Sequence, residues 1–332
     1  MGYNGGTNFT GIDSLGTAEY LLAREFTARV GQPLIALILL LSIALAVFAV
    51  LPPLRKYSRL VALALVLGMA AGWLLLANLH YQIATSLALV DPTGQLPPGN
   101  FYIPPWVENE KFYFWTLVLA LLTVAGRRRP AVFQTALNVT LGGFGILTYF
   151  TSNPFAQPLA DFHAGFSQYA AAMAGGNTMV QSQAYHALHG KMIGFYNSTY
   201  MWIHPPMLFI AYSTFVLAFL GCVFMVIRSR EGYDKLAYAW AKPGFILLTV
   251  GLLIGYPWAV EAWKGEPWWY DPKINVTLMM WLLYSAYLHA RIYIHRKGMW
   301  TATAVLGYLA FLGVVVTYLS TYVLPGIHSV AG

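Results

Sequence analysis

Residues 33–53 read PLIALILLLSIALAVFAVLPP, twenty-one positions with one hydroxyl, Ser42, and no charge. A run of that kind matches the ~20 apolar residues that carry a helix across a bilayer core. Working outward, seven further apolar runs lie at 60–82, 113–126, 131–152, 205–227, 243–262, 274–294 and 300–324. The run at 113 is short and extends upstream toward Glu110, with Phe112, Tyr113 and Trp115 at the level of an interfacial aromatic belt. The reading is an all-α polytopic membrane protein with about eight transmembrane helices.

Composition points the same way. Of 332 residues, 58% are hydrophobic and 9% charged, where soluble domains carry about 25% charge; mean hydropathy is +0.58. A soluble globular protein is excluded. The net charge of +7 comes without a basic stripe on a soluble face, so nucleic acid is not an expected partner. Cys222, the single cysteine, lies in an apolar run and reads as a small core residue, leaving no disulfide and no CxxC pair within the chain. Any thiol chemistry needs a separate thiol-reducing protein.

Basic residues set the expected orientation, because Lys and Arg stay on the cytoplasmic side. Thirteen of the nineteen fall in the connections after spans one, three, five and seven, giving net charges of +11 on that side and −4 on the other. Both termini are therefore expected outside the cytoplasmic (inner) membrane. Residues 1–32 form an external N-terminal segment that does not read as a signal peptide; Leu15, Ala18, Leu22 and Phe26 suit an interfacial helix over 14–29. Residues 33–152 hold the first four spans, 153–204 a long external loop with short helices at 160–174 and 179–191, and 205–332 the last four spans.

Three features converge on the outer face. Trp202-Ile203-His204-Pro205-Pro206-Met207 precedes span five, and its prolines suit the first turn of a helix. The loop over 258–273, WAVEAWKGEPWWYDPK, packs four tryptophans and a tyrosine into thirteen residues. Pro325-Gly326-Ile327-His328 lies just past span eight. Two histidines thus flank an aromatic platform at one depth, an arrangement that suits a flat apolar disc with a central metal, ligated axially by imidazole and covered by indole faces. Heme is such a disc. His204 and His328 otherwise read as surface histidines at helix ends.

The run from Trp258 to Arg291, with Trp-Ala-x-Glu-Ala-Trp, Trp-x-Tyr-Asp-Pro-Lys, Trp281 and Tyr287-Leu288-His289-Ala290-Arg291, resembles the tryptophan-rich signature of heme-handling proteins. It is similar to the CcsA (ResC) type of the System II cytochrome c synthase and, more distantly, to the CcmF and CcmC types. His-Pro-Pro-Met-Leu and Gly-Ile-His-Ser also look like family motifs. The specific resemblance covers roughly 195–332. It implies that His204 and His328 are heme ligands, that Trp258, Trp263, Trp268, Trp269 and Asp271 form the platform, and that His289 corresponds to an intramembrane histidine. Ile274 departs from the acidic residue usual there, and Tyr270 replaces a common Trp.

Other residues keep two readings. Asp271-Pro272 also suits an N-cap followed by proline. Lys264 and Lys273 suit heme propionates or plain solvent, and Glu261 a ligand or an indole N–H. His289, ~21 Å along its helix from Asn275, is either a transient heme ligand or a packing residue. His80, ~31 Å along its helix from Arg59, stands at the wrong level to pair with it, so a second inner ligand falls to a partner. His186 and His189 read as surface residues. His163 and His295 carry no signal.

The expected function is cytochrome c biogenesis: b-type heme, held non-covalently, is received from the cytoplasmic side and presented for thioether attachment to apocytochrome c, with a CcsB/ResB-like membrane subunit as partner. The alternatives are heme delivery to a chaperone and a resident heme-b electron-transfer subunit.

Overall fold

The computed structural model describes residues 16–89, 102–125, 129–228, 230–263 and 267–326, apart from the side chains of Ala262 and Arg296. Among them the chain forms α1 (Thr17–Val50), α2 (Ser58–Ser86), α3 (Glu110–Ala125), α4 (Ala131–Thr151), α5 (Ala160–Gly175), α6 (Thr178–Tyr196), α7 (Thr199–Ile227), α8 (Arg230–Ala262), α9 (Pro272–Ile292), the single turn α10 (Ile294–Lys297) and α11 (Trp300–Val323). Every apolar run falls on a helix. Six of these helices, α1, α2, α4, α7, α8 and α11, are long and apolar enough to cross a membrane. Span three coincides with α3 and span seven with α9, which among the described residues fall short of that length or hydropathy.

Three boundaries differ from the sequence reading. Among the described residues the expected interfacial helix is not separate from span one: α1 runs unbroken for 34 residues through Pro33. Packing carries it there, because Tyr20 and Thr27 are wholly buried and Gly31 is so closely covered by the Phe155 ring that a Cβ would collide with it. The expected greasy positions Leu22 and Phe26 are exposed, while Leu15 lies outside the described residues. Span five starts not at its prolines but six residues earlier, at Thr199. Pro205 cannot donate to the carbonyl of Met201, and the Trp106 indole N–H does so instead at 2.9 Å. Span six begins at Arg230 rather than 243, taking Asp234, Lys235 and Lys242 into the helix.

The contacts divide into two compact units. The first comprises 1–40, 67–114 and 145–202. Its core gathers Tyr20, Leu79, Ile83, Phe162, Tyr185 and Tyr196. The antiparallel pair α5 and α6, expected as short helices, is defined at both starts. Glu108 accepts from the Asp161 and Phe162 amides at 3.0 and 2.9 Å, and Asn177 accepts from Met179 and Val180 at 3.0 and 3.3 Å, each supplying partners to otherwise orphaned helix N–H groups. Burial pushes the Glu108 carboxyl above the usual carboxylate range, against the pull of those amides.

The second unit comprises 41–66, 115–144 and 203–332. Within it α7 is the most enclosed of the six candidate spans, and α9 packs along α11. Close crossings are made at small residues, as in membrane bundles where apolar surface gives no net drive between helices. A Cβ on Gly221 would meet the Ala237 backbone, and one on Gly244 would meet Thr214 and Phe215. Phe215 and Tyr284 stack at 3.7 Å, and Phe219 and Phe311 at 4.4 Å. Cys222 is buried among them, as a small core residue should be.

Candidate functional site

In the second unit, the imidazole of His204 sits on a groove in α8. His204 and Leu208 are one turn apart on α7; Gly255 and Gly251 are one turn apart on α8. A Cβ on Gly255 would lie 2.7 Å from His204 Cε1, and one on Gly251 2.8 Å from Leu208 Cδ2. Only glycines let two side chains rest on the α8 backbone in this way. The groove also fixes the ring chemistry: His204 Nδ1 donates to the Gly251 carbonyl at 2.8 Å. A carbonyl only accepts, so Nδ1 carries the proton and Nε2 holds the lone pair, the tautomer a metal ligand needs.

The aromatic loop continues from this ring. Trp258 lies 5.9 Å from His204 at 37°, and Trp263 lies 5.0 Å from Trp258. A second chain runs from Tyr256 to Trp268 at 5.5 Å, to Trp269 at 5.7 Å and on to Tyr270 at 6.1 Å. Trp269 and Tyr270 are 54% and 75% exposed, more than a packing role would require of such large rings.

Asp271 is buried and caps α9, its Oδ1 accepting from the Lys273 and Ile274 amides at 3.0 and 3.3 Å. Its Oδ2 faces the end of α11: a Cβ on Gly326 would be 2.6 Å from it. The residue that caps α9 therefore also receives the segment leading to His328. Lys273 is half-buried at the first turn of α9. Lys264 and His328 lie outside the described residues. Asn275 ties the aromatic turn to α9, donating to the carbonyls of Trp269 and Asp271 at 3.3 and 3.1 Å, a role that its sequence position did not signal.

His289, expected at an intramembrane level, is exposed on α9, with Nδ1 donating to the Ser285 carbonyl at 3.3 Å. This is the same tautomer as at His204. Leu278 and Leu282, on the same helix, are exposed too. Two residues on, Arg291 forks Asp234 at 2.9 and 2.8 Å and lies 3.8 Å over the Tyr238 ring. Asp234 is wholly buried. The sequence reading placed both charges in cytoplasmic connections; their 57-residue separation concealed the pair. Trp281, part of the resemblance, donates its indole N–H to Thr249 at 2.9 Å, a helix-to-helix tie.

A second missed feature lies in the first unit. His80 is wholly buried, with Nδ1 2.9 Å from the Tyr196 hydroxyl and Nε2 3.0 Å from both Glu110 oxygens. Both nitrogens are thus engaged. His189 stacks on Tyr185 at 5.0 Å; His186 meets the same ring edge-on. Among the described residues no group of three His, Cys, Asp or Glu side chains is placed to hold a metal ion. A porphyrin brings four nitrogens of its own and asks the protein only for axial ligands. The single His204 imidazole beside indole faces fits one such position.

Residues 106–328 match the family described as Cytochrome C assembly protein. The cytochrome c biogenesis protein CcsA of Prochlorococcus marinus (strain NATL2A) is 43% identical over 102 residues, 30% of this chain and 31% of that protein. The protein of that name from Thermosynechococcus vestitus is 44% identical over 100 residues, 30% of each chain. These alignments span less than a third of the curated relatives' length. Among solved structures, a cytochrome c heme lyase CcmF superimposes with a TM-score of 0.61 over 88% of this chain and 47% of that one. At 17% identity the likeness is one of fold.

Proposed function

Because the chain belongs to the cytochrome C assembly protein family, we propose that it binds heme as cargo and presents it for attachment to apocytochrome c. The observation that carries this reading is the seating of His204: a glycine groove, a tautomer fixed by the Gly251 carbonyl and an indole 5.9 Å away. Packing alone would not call for all three. In this reading His204 and His328 are the axial ligands of a non-covalently held b-type heme. Trp258, Trp263, Trp268 and Trp269 cover its faces, and Lys264 and Lys273 neutralise its propionates.

Asp271 acts as a positioning residue. Its two oxygens are used on the α9 amides and against Gly326, which supports a role in holding the segment leading to His328 rather than in contacting iron. The thioether bonds form between the heme vinyl groups and the thiols of the apocytochrome; this chain binds and orients. His289, exposed and in the ligand tautomer, suits a transient inner site completed by a histidine of a CcsB/ResB-like subunit. The loading direction, from the cytoplasmic side to an external face with both termini outside, rests on the +11 against −4 charge asymmetry.

The reading is tested by pyridine hemochrome analysis of the protein purified with its membrane partners. We expect about one b-type heme per chain at the outer site, reduced severalfold in His204→Ala and in Trp258→Ala. Heme content unchanged in both variants overturns the assignment. Under limiting heme, His289→Ala is expected to lower occupancy at the outer site without altering its spectral type; full occupancy would make His289 a packing residue.

A further inference from the structure

Between α8 and α9 the chain makes one tight turn over Trp268–Tyr270. The Tyr270 amide donates to the Pro267 carbonyl at 3.0 Å and the Asp271 amide to the Trp268 carbonyl at 3.1 Å. The next carbonyl along, that of Trp269, accepts from the Asn275 side chain at 3.3 Å. Among the described residues, the rings beside Trp269 are those of Trp268 and Tyr270, its own chain neighbours. The orientations open to a side chain depend on the backbone that carries it. For an indole as exposed as this one, the backbone of the turn therefore sets the direction of the ring.

Asn275 stands at the fourth position of α9, counting from Pro272. Asparagine is a poor choice inside a helix, because its side chain competes for backbone groups. Asn275 is also exposed, so packing does not call for it. Its Nδ2 donates both to the Trp269 carbonyl and, at 3.1 Å, to the Asp271 carbonyl, which accepts the Asn275 backbone amide as well. Both partners are carbonyls and only accept, so the side-chain nitrogen faces the turn. The residue type matters here. A hydroxyl at 275 would have one proton to give, and the Asp271 carbonyl, four residues back on the helix, is its ordinary partner. A carboxylate would have the shape of asparagine and no donor.

Asp271, the other polar residue of this corner, spends Oδ1 on the Lys273 and Ile274 amides and faces Gly326 with Oδ2. It is Asn275 that ties the Trp269 side of the turn to α9. We propose that Asn275 is a positioning residue for heme: through the Trp269 carbonyl it fixes the direction of the exposed Trp269 indole, and with it the face that this ring presents to the macrocycle. The inference rests on the heme reading above, in which Trp269 covers part of the cargo. Asn275 itself makes no bond to heme. Aromatic surfaces attract in particular geometries, offset or edge to face, so an indole released from its turn keeps its area and loses its fit.

The test is Soret circular dichroism of the protein purified with its membrane partners, a signal that depends on how nearby indoles lie against the heme, together with heme retention. Asn275→Asp, which keeps the shape and removes both donors, should lose most of the dichroism and retain heme less well by roughly threefold to tenfold, the worth of one aromatic contact. Its absorption spectrum should keep the wild-type ligation. Asn275→Thr, which keeps a bond to the Asp271 carbonyl alone, should change in the same way. In a Trp269→Ala background neither substitution should have a further effect, whereas a general structural role would add to that of Trp269→Ala. Wild-type dichroism in either Asn275 variant, an undiminished effect in the Trp269→Ala background, or loss of folded protein in both variants each overturns the proposal. If heme is lost in His204→Ala while the Asn275 variants match wild type, this inference fails and the heme reading stands; wild type without b-type heme overturns both.

Discussion

His80 and His204 both sit near the ends of long apolar helices, yet their surroundings give them opposite uses. His80 is wholly buried with a hydroxyl on one nitrogen and a carboxylate on the other. His204 is half-buried, gives one N–H to a backbone carbonyl and lies beside an indole. The first is a closed polar knot that ties α2, α3 and α6 of one unit. The second has its lone pair set on Nε2 by a backbone bond. What separates the structural histidine from the proposed ligand histidine is which partner each nitrogen meets.

The largest effect is expected at the knot. Glu110→Ala leaves the buried His80 Nε2 and the Val107 N–H without their acceptor, and each buried group so orphaned costs about 1–3 kcal/mol. Thermal unfolding in detergent should show that loss, and a change within error would make the knot incidental. Next comes Gly255→Ala. Its Cβ would lie 2.7 Å from His204 Cε1, so either α7 gives or the ring turns out, at a cost of about 1–3 kcal/mol and with reduced heme retention. Retention at the wild-type level would show that the groove does not set the ring.

Asp271→Ala removes an N-cap worth ~1 kcal/mol, whereas Asp271→Asn keeps an oxygen for the amides and should nearly restore stability. Equal loss in both would place the charge, not the cap, at the centre of its role. The smallest stability effect belongs to His204→Ala, where loss of the part-buried Nδ1 bond to the Gly251 carbonyl costs about 1 kcal/mol or less. Its effect on heme should be the largest of the set. That inversion between stability and ligand binding is what the contrast with His80 requires.

The apolar spans were legible because a membrane helix is decided within its own sequence: each needs only length and absence of charge. The α7 boundary was not, because Pro205 reads locally as a helix start, and the Met201 carbonyl it leaves open is taken by Trp106, 95 residues from Met201 in sequence. Asp234 with Arg291, and His80 with Glu110 and Tyr196, were invisible for the same reason: each pairs across chain separations of 30 to 116 residues. At the candidate site, the tryptophan density and His204 were readable by residue type. The glycine groove was not, since Gly251 and Gly255 acquire meaning only when α7 lies on them.

The most direct test of the heme reading is the visible absorption spectrum of purified His204→Gly with and without added imidazole. The cavity left by the missing ring admits imidazole to the position of Nε2. The account predicts a shifted, weakened Soret band in the variant that returns toward the wild-type spectrum on adding imidazole. A spectrum identical to wild type without imidazole would show that His204 does not ligate heme.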